Sequence, residues 1–333
     1  MNRMFAALGG LSLLLLTVSA EEAQACSVCL AGDPLFSMDG TTVQEKGDFS
    51  VYIQVQGWRK ESGLLPHEEE EEEHGHEEEE EEGNEKNASQ RADLFLSWAP
   101  LDRFTVTLDI PFAFNEIEEI EGDTSETFHM SGLGDISVAG SFVLWRNRDV
   151  LPSTWIEARA LLKTPTGRSR RREGGVIDPH LQAGTDSWDY GGGLAFNHRF
   201  SWGSAYASIF YRENGEGDFG DLDYEYGDFA LANAGVEVPL GHAFGCSKLE
   251  WLTIGSELNY RYAKADRADG ERFDDSGGSV LYVTPSVRAH LPFALGNRKP
   301  SLRLAVQLPV TSSWLNGDQD EKEVWSVGLL FPF

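Results

Sequence analysis

The side chains best suited to chemistry lie in one acidic, histidine-rich segment. His67 precedes six consecutive glutamates, and His74 and His76 stand between that run and a second one. Imidazole and carboxylate groups are ligands of divalent metals, and His74 and His76 are close enough in sequence to chelate one ion. Like charges repel, and nothing here can form a core, so we expect disorder. The segment predicts either a metal site, weakened by the entropy cost of ordering a flexible loop, or a solvated charge run.

A second group of reactive side chains is the Cys-x-x-Cys pair of Cys26 and Cys29. This spacing is typical of a disulfide, a redox pair or half of a metal site. No histidine follows the pair, which excludes covalent haem attachment, and zinc would need two further ligands. Three hypotheses stay open: a Cys26–Cys29 disulfide with Cys246 free, a disulfide from the N-terminal segment to Cys246, and a metal or redox site.

Residues of a catalytic type are present but poorly arranged for catalysis. Asn197 and His198 precede Ser201, yet His198 and Ser201 are an odd number of positions apart and point to opposite faces of a strand. Asp178 and His180 share one loop, which is too few residues for a protease site. We therefore predict that the protein is not an enzyme.

The N-terminus has the pattern of a cleaved secretion signal. Arg3 provides the positive charge, Leu11–Val18 the apolar stretch, and Ala23-Gln24-Ala25 the small-x-small cleavage site. Residues 1–25 are thus a signal peptide, as expected for a Gram-negative envelope protein. Acylation of Cys26 is an alternative, although Ala23 is smaller than the residue usual before a lipidated cysteine. Residues 26–46 are polar and lack periodicity, so we assign them to a periplasmic N-terminal segment that is a candidate plug.

The rest of the chain alternates between apolar and polar residues with a period of two, which indicates strands. The last strand is the clearest, with only large apolar groups on the face of Trp325, Val327, Leu329, Phe331 and Phe333. A strand this apolar would be an aggregation-prone edge in a soluble protein, whereas a lipid-facing strand with aromatic ends explains it. An ordinary core strand of a soluble β-sandwich is the alternative. The pattern predicts strands at 48–58, 91–99, 104–116, 133–145, 154–166, 188–200, 205–214, 228–240, 250–263, 279–292, 301–313 and 324–333.

The predicted connections alternate between long and short. The long ones span residues 59–90, 118–131, 167–187, 215–227 and 264–278, and the short ones span 100–103, 146–153, 201–204, 241–249 and 293–300. Short periplasmic turns and longer extracellular loops are typical of outer-membrane barrels, and a soluble sandwich has no reason to alternate in this way. Residues 47–333 are therefore predicted to form a twelve-stranded antiparallel transmembrane β-barrel, with residues 60–90 as a disordered acidic extracellular loop. Cys246 then lies in a periplasmic turn, on the same side as Cys26 and Cys29.

The polar face of each strand should line the lumen, because a charge facing lipid near the bilayer midplane costs about 2–4 kcal/mol. The alternation along the strands places charges of both signs in the lumen. These charges can form mutual salt bridges, provide a polar path for solutes, or do both. The charges we single out are Glu157, Arg159, Lys163, Glu257, Arg261 and Arg303, and the same face holds Asp93, Asp109, Arg199, Arg212, Glu237 and Arg288.

The net charge of −28 disfavours nucleic-acid binding, which needs a basic surface. The sequence predicts no cofactor other than a weakly bound divalent metal. The expected partners are outer-membrane lipid and small-molecule or ion solutes.

Three short motifs resemble a known group of proteins. They are Ser131-Gly-Leu-Gly-Asp-Ile136, Leu162-Lys-Thr-Pro-Thr-Gly167 and the segment from Gln182 to Gly191. With the signal peptide and terminal Phe333, they resemble the outer-membrane transporter-like proteins grouped as the "MetA pathway of phenol degradation" family, over roughly residues 90–333. The resemblance implies a barrel, recognition of the last strand by the barrel-assembly machinery, and passage of small molecules, but no particular substrate. Asp186 stands where the family often has glycine, so that loop is expected to be built differently.

Together these features predict an outer-membrane channel or transporter that passes small solutes or ions by diffusion. The alternative is a surface divalent-metal-binding barrel that acts through the histidine- and glutamate-rich loop.

Overall fold

The structure is a computed structural model that describes residues 45–62, 84–121, 124–172, 178–220, 222–295, 298–316 and 319–333. The signal peptide, Cys26, Cys29 and the metal candidates His67, His74 and His76 lie outside these residues, so those assignments stay predictions. Within the described ranges, no helix has the length and apolar run that crossing a bilayer would need.

Strands dominate the described chain. They are β1 (Phe49–Ser62), β2 (Asn84–Leu101), β3 (Phe104–Glu121), β4 (Thr124–Leu133), β5 (Ser137–Arg146), β6 (Thr154–Lys163), β7 (Asp189–Arg199), β8 (Ser204–Glu213), β9 (Glu216–Asp218), β10 (Asp223–Glu225), β11 (Phe229–Pro239), β12 (Leu252–Ala263), β13 (Arg267–Ala268), β14 (Glu271–Arg272), β15 (Gly278–His290), β16 (Ser301–Leu315), β17 (Asp320–Glu321) and β18 (Val324–Pro332). The helical elements are α1 (Leu240–Phe244) and two 3₁₀ turns, Pro179–Leu181 and Ser247–Leu249.

The wall is a closed antiparallel barrel of twelve strands, as predicted. Neighbours in the wall follow the order β1, β18, β16, β15, β12, β11, β8, β7, β6, β5, β3 and β2, and β2 pairs again with β1. Closure leaves no open sheet edge, which is the condition for strands to cross lipid. β4 continues the line of β5 beside β3 and makes one wall strand with it.

The outer surface is apolar, as a lipid-facing wall requires. Outward positions carry large exposed side chains, and aromatic residues mark the two ends of this belt. Phe49, Trp98, Trp202, Trp251 and Phe333 are exposed at the end with the short turns, and Trp188, Tyr190, Tyr211, Tyr262 and Trp314 at the end with the long loops. The buried positions between them are largely polar. The chain therefore spans a membrane with its strands.

One wall strand is interrupted between β4 and β5. Leu133 pairs with Phe112, and Ser137 pairs with Asp109. Residues 134–136 are thus three residues that face only two on β3, which is a bulge. The bulge breaks the simple alternation and leaves Asp135 buried.

Residues 118–131 were expected to form a long loop, and this prediction is wrong. β3 runs to Glu121 and β4 begins at Thr124, so the two strands form a hairpin, which we call the tall hairpin, with only residues 122 and 123 between them. The outward-facing residues of this hairpin are polar, so the sequence here lacks the alternation of apolar and polar residues that indicates a strand. The hairpin is held by buried Ile117 and Met130, which pack against Leu181 from a distant loop. Leu181 is far from Ile117 and Met130 in sequence, so the sequence does not indicate this contact.

The hairpin of β1 and β2 is also longer than predicted. β1 continues to Ser62 and β2 starts at Asn84, with Ser62 paired to Glu85. Residues 60–62 and 84–90, which we assigned to the acidic loop, therefore belong to strands. Cross-strand backbone hydrogen bonds extend the wall here although the sequence is charged and polar.

The long loops at the same end carry a small sheet of their own. β9, β10, β13 and β14 form a four-stranded sheet. Buried Phe219, Tyr224 and Tyr226 make its core, with Leu222 and Ala268 packed against them. In outer-membrane barrels the end with long loops is extracellular.

Candidate functional site

All of the lumen charges singled out from the sequence lie on the inner face of the wall. Inner-face positions alternate with exposed outer positions along each strand. The side chains of Glu157, Arg159, Lys163, Glu257, Arg261 and Arg303 are buried, as are those of Asp93 and Asp109, whereas Arg199, Arg212, Glu237 and Arg288 are more accessible. They do not form one ring but divide into separate clusters.

The first cluster, which we call the wall cluster, consists of Tyr206, Glu257, Asn259 and Arg303. Glu257 is 2% exposed, and its Oε2 accepts a hydrogen bond from Tyr206 Oη at 2.6 Å. Arg303 Nη2 donates to Glu257 Oε1 at 2.7 Å, and Asn259 Nδ2 donates to Oε2 at 3.4 Å. These residues come from β8, β12 and β16, so the cluster connects alternate strands across the inner surface. A buried carboxylate is stable only with such partners.

Neighbouring inner residues continue the same pattern of short polar contacts. Glu157 Oε1 accepts from Arg159 Nη2 at 3.2 Å and from Asn197 Nδ2 at 3.0 Å. Arg261 pairs with Glu321 of β17. The inner face is thus braced by pairs of opposite charge, and it presents both signs to whatever occupies the lumen.

The second cluster lies where β5, β6, β7 and β8 reach the long loops and is centred on Asp135. Asp135 Oδ1 accepts the backbone N–H of Gly167 at 2.8 Å. Asp135 Oδ2 accepts the N–H of Thr185 at 2.8 Å, its Oγ1 at 2.9 Å, and Lys163 Nζ at 3.0 Å. Both oxygens of this buried carboxylate are therefore used to hold other segments of the chain.

A second carboxylate completes this cluster. Asp189 Oδ2 pairs with Lys163 Nζ at 2.7 Å and with Arg212 Nη2. Asp189 Oδ1 accepts from Ser187 Oγ at 2.8 Å and from the N–H of Gly215 at 3.2 Å. We call Asp135, Lys163, Thr185, Asp189 and Arg212 the mouth cluster.

The three motifs that resemble a known family meet in the mouth cluster. Residues 131–136 supply Asp135, residues 162–167 supply Lys163 and the Gly167 amide, and residues 182–191 supply Thr185 and Asp189. The three motifs are separate in sequence but lie together at one place in the fold.

The backbone at this meeting point requires specific residues. A Cβ on Gly184 would stand 2.6 Å from Gly167 Cα, so the two segments pass each other only as glycines. Asp186 has φ 53°, in the left-handed region that favours glycine and that aspartate tolerates better than most residues. The expectation that this loop is built differently from that of the family stays a prediction. Asp186 also pairs with Arg170 at 2.8 Å, which raises the pKa of the Arg170 guanidinium.

The loop of residues 178–187, which we call the mouth loop, folds against the inner wall. Asn115 Nδ2 donates to the carbonyl oxygens of Leu181 at 3.1 Å and Gln182 at 2.9 Å. On the other side, Tyr226 Oη donates to the carbonyl oxygen of Pro179 at 2.8 Å, and His180 packs edge-on against Tyr226. The loop is thus bound to both the tall hairpin and the small loop sheet.

A cavity of about 100 Å³ lies beneath the mouth loop. It has aromatic, cationic and anionic groups on its surface and no dominant sign of charge. Its lining includes Trp58, Arg91, Asp109, Lys163, His180 and Arg212.

The loops are joined to one another by further polar contacts. Asp228 Oδ2 accepts from Lys264 Nζ and Tyr211 Oη, both at 2.8 Å, and Oδ1 accepts the N–H of Asn214 at 2.9 Å. Burial tends to raise the pKa of the Asp228 carboxyl, but these hydrogen bonds outweigh it and hold the pKa below its usual value. The carboxylate therefore stays ionised at neutral pH and connects the loops after β8 and β12.

Of the residues considered for catalysis, the side chains of Asn197 and His198 lie apart, whereas Asp178 and His180 lie close together. Asn197 is buried in the lumen, where it binds Glu157, whereas His198 contacts Thr154 Oγ1 at 2.8 Å and the ring of Phe200. Asp178 and His180 are 3.5 Å apart in the mouth loop.

Cys246 lies in the connection after α1, is half-buried, and forms no disulfide with any residue that the structure describes. The three hypotheses for its pairing with Cys26 and Cys29 therefore stay open. The described residues include no group of three His, Cys, Asp or Glu side chains arranged to hold a metal ion.

Several polar residues of the inner face and of the mouth were missed in the sequence. Tyr206 has the inward parity of Arg212 in the same strand and could have been found from that parity. Asp135 lies on a bulge and Glu321 on the two-residue β17, so no strand alternation points to either. Thr185 and Ser187 lie in a loop, where parity has no meaning.

No family model matches the chain, and no curated protein sequence matches it. Its structure is similar to that of the COG4313 outer membrane channel from Pseudomonas putida F1, with a TM-score of 0.62, 15% sequence identity, and coverage of 87% of this chain and 97% of that one. At this identity the likeness shows the fold alone. The transport unit of the autotransporter AIDA-I from Escherichia coli is more distant, at a TM-score of 0.47, 9% identity and coverage of 89% and 92%, and supports no argument. The closed barrel with its apolar belt and this shared fold identify the chain as an outer-membrane β-barrel.

Proposed function

We propose that the protein is an outer-membrane channel that passes small solutes or ions by diffusion. The observation that carries the proposal is the contrast between an apolar outer surface and an inner face with charges of both signs. A protein that used its barrel only as a membrane anchor would gain nothing from burying so many ionised groups, each of which costs free energy unless paired.

The meeting of three motifs in the mouth cluster also supports a relationship to the family that the motifs resemble. We infer a shared ancestry with those transporter-like proteins from this convergence and from the likeness to the COG4313 channel. We do not extend the phenol label to this chain, because no substrate follows from a shared fold.

Ion selectivity tests the channel directly. Arg261 pairs with Glu321 and Arg303 with Glu257, so replacing both arginines with glutamine removes two positive charges from the inner face and keeps the two carboxylates. The reversal potential in planar bilayers should shift toward cations and should do so even at high salt, because charges in a narrow lumen are screened less than charges in water.

The matched control is Arg148→Gln, at an exposed arginine of a short turn, which should leave the reversal potential unchanged. A double variant with the selectivity of the unaltered protein would show that these charges do not line the permeation path.

The acidic segment should have a smaller and salt-dependent effect. Because β2 begins at Asn84, a deletion of residues 67–82 spares the wall. Glutamates in water are screened over about 10 Å at 0.1 M salt, so the deletion should alter selectivity mainly at low salt. An effect of equal size at high salt would place these charges inside the pore instead.

A metal-binding barrel is the alternative function, and it depends on His67, His74 and His76. The same deletion should then abolish zinc or copper binding in calorimetry of the purified protein. Unchanged binding would reject this alternative. An assay for ester and peptide hydrolysis with purified protein checks the prediction that the chain is not an enzyme.

A further inference from the structure

The mouth loop crosses from one side of the barrel mouth to the other. Leu181 packs against Ile117 and Met130 of the tall hairpin, while the Pro179 carbonyl is bound by Tyr226 of the loop sheet. The 3₁₀ turn at its N-terminal end is buried at Pro179 and Leu181. Residues 178–187 are therefore not a surface excursion but part of the packed interior of the mouth.

The cavity beneath this loop is bordered by the loop and by distant parts of the wall. His180 and Gln182 of the loop line it together with Trp58 of β1, Arg91 of β2 and Arg212 of β8. A solute that entered through the mouth would meet this space. Its volume of about 100 Å³ is smaller than the roughly 150 Å³ of an engineered apolar cavity that holds benzene.

The cavity lining is also unsuited to apolar molecules. Arg91 Nη2 pairs with Asp109 Oδ2 at 3.0 Å at its edge, and Lys163 and Asp135 form part of its wall. Buried charged groups favour a guest that can both donate and accept hydrogen bonds, because an apolar guest would leave them without water.

We propose that the mouth loop is the constriction of the pore and that Asp135 is its positioning residue, so that the channel with this loop in place admits small polar solutes below the size of an aromatic ring. The inference rests on the proposed channel function and names the substrate class of that same pore.

Asp135 is suited to this role because it joins three segments at one point. Its side chain binds the Gly167 amide, Lys163 Nζ, and both the amide and the hydroxyl of Thr185. Thr185 is at the end of the mouth loop, so the loop is fixed to the wall through this carboxylate. The bulge at residues 134–136 is what brings Asp135 into the lumen side of the wall.

The test is the size cutoff of the pore, measured in planar bilayers with neutral polyethylene glycols of graded mass. Asp135→Asn keeps the size of the side chain, but its NH2 group must face either the N–H of Gly167 or the N–H of Thr185, so one of the two hydrogen bonds is lost in either orientation. The substitution also removes the charge that pairs with Lys163. The single-channel conductance and the largest polymer that enters should both rise. Hydrogen exchange of residues 178–187 should become faster, while the barrel still shifts on a gel when heated.

The control is Asp149→Asn, at an exposed aspartate of a short turn that binds Arg103 and Arg146. It should keep the cutoff of the unaltered protein. Should Asp135→Asn not fold, Gly184→Ala serves the same purpose, because its Cβ would stand 2.6 Å from Gly167 Cα and displace the loop.

A rescue separates positioning from a general structural role. Met130 and Leu181 belong to one buried cluster, so Met130→Cys with Leu181→Cys is the cysteine pair chosen to tie the loop to the tall hairpin, and its oxidation is checked by the loss of both thiols. In the Asp135→Asn chain that carries both cysteines, oxidation should restore the original size cutoff, and reduction should raise the cutoff again. The unaltered chain under both conditions is the reference.

Two different failures are distinguishable. A conducting barrel whose cutoff is the same with Asp135→Asn, although exchange shows the mouth loop released, overturns the constriction. A barrel that conducts nothing, with or without residues 26–46, overturns the proposed function and this inference with it.

Discussion

The wall cluster and the mouth cluster differ in where their residues come from. Tyr206, Glu257, Asn259 and Arg303 all stand on wall strands, at positions of the same inward parity as their neighbours. In the mouth cluster, Asp135 stands on a bulge and Thr185 in a loop, and contacts between residues far apart in sequence bring the segments together. The wall cluster therefore follows from the formation of a barrel, whereas the mouth cluster needs residues that a barrel does not require.

The largest expected effect is in the wall cluster. Glu257→Ala removes the acceptor of Arg303 and Tyr206 and leaves a buried guanidinium without its carboxylate. Breaking a buried ion pair costs about 3–5 kcal/mol. The free energy of unfolding of the barrel, measured in urea, should fall by that amount. The rate of amide hydrogen exchange should rise in β8, β12 and β16 together.

The Asp135→Asn variant is the direct counterpart of Glu257→Ala. Its exchange should rise in the mouth loop while the wall strands keep theirs. Equal loss of protection in both regions with either variant would break the distinction between the two clusters.

A smaller effect is expected where Asp228 connects two loops. Asp228→Asn at pH 7 weakens hydrogen bonds to Lys264 and Tyr211, and bonds to a charged group are worth about 1.5 kcal/mol. Because the pKa of folded Asp228 lies below the unfolded value, its contribution is complete above about pH 3.9 and is lost as the pH falls through the folded value. The difference in melting temperature between the two proteins should therefore be constant from pH 7 to about pH 4 and shrink in stronger acid.

Glu271→Gln, at an exposed residue of β14, is the control for this measurement and should show no such dependence. A difference in melting temperature that grows in acid would contradict the lowered pKa of Asp228.

The smallest effect is expected on the tall hairpin. Glu116 Oε2 and His129 Nδ1 are 3.1 Å apart, with side chains that are 50% and 65% exposed. An exposed pair is worth no more than about 1 kcal/mol and less at high salt. Glu116→Gln should thus lower the free energy of unfolding by much less than Glu257→Ala does. A loss as large as that of Glu257→Ala would show that the exposure of an ion pair does not determine its contribution to stability.

Most of the wall was predictable because lipid on one side and polar groups on the other impose a period of two. This pattern gave twelve strands, their closure and the inward position of residues such as Glu257 and Arg303. The hairpin of β3 and β4 was not predictable, because its outer residues face water and its buried Ile117 depends on Leu181, far along the chain. The pairing of Asp135 with Thr185 was hidden for the same reason. Short motifs marked the place but not the contact.

The most direct test of the channel and of its narrow mouth is the swelling of liposomes that contain the purified chain, with solutes of graded size. We expect small polar solutes such as urea and glycine to enter, and molecules larger than an aromatic ring, such as disaccharides, to be excluded. Deletion of residues 67–82 should not change this cutoff. Swelling no faster than that of empty liposomes, both for the full chain and after removal of residues 26–46, would contradict the channel, and equal entry of disaccharides would contradict the narrow mouth.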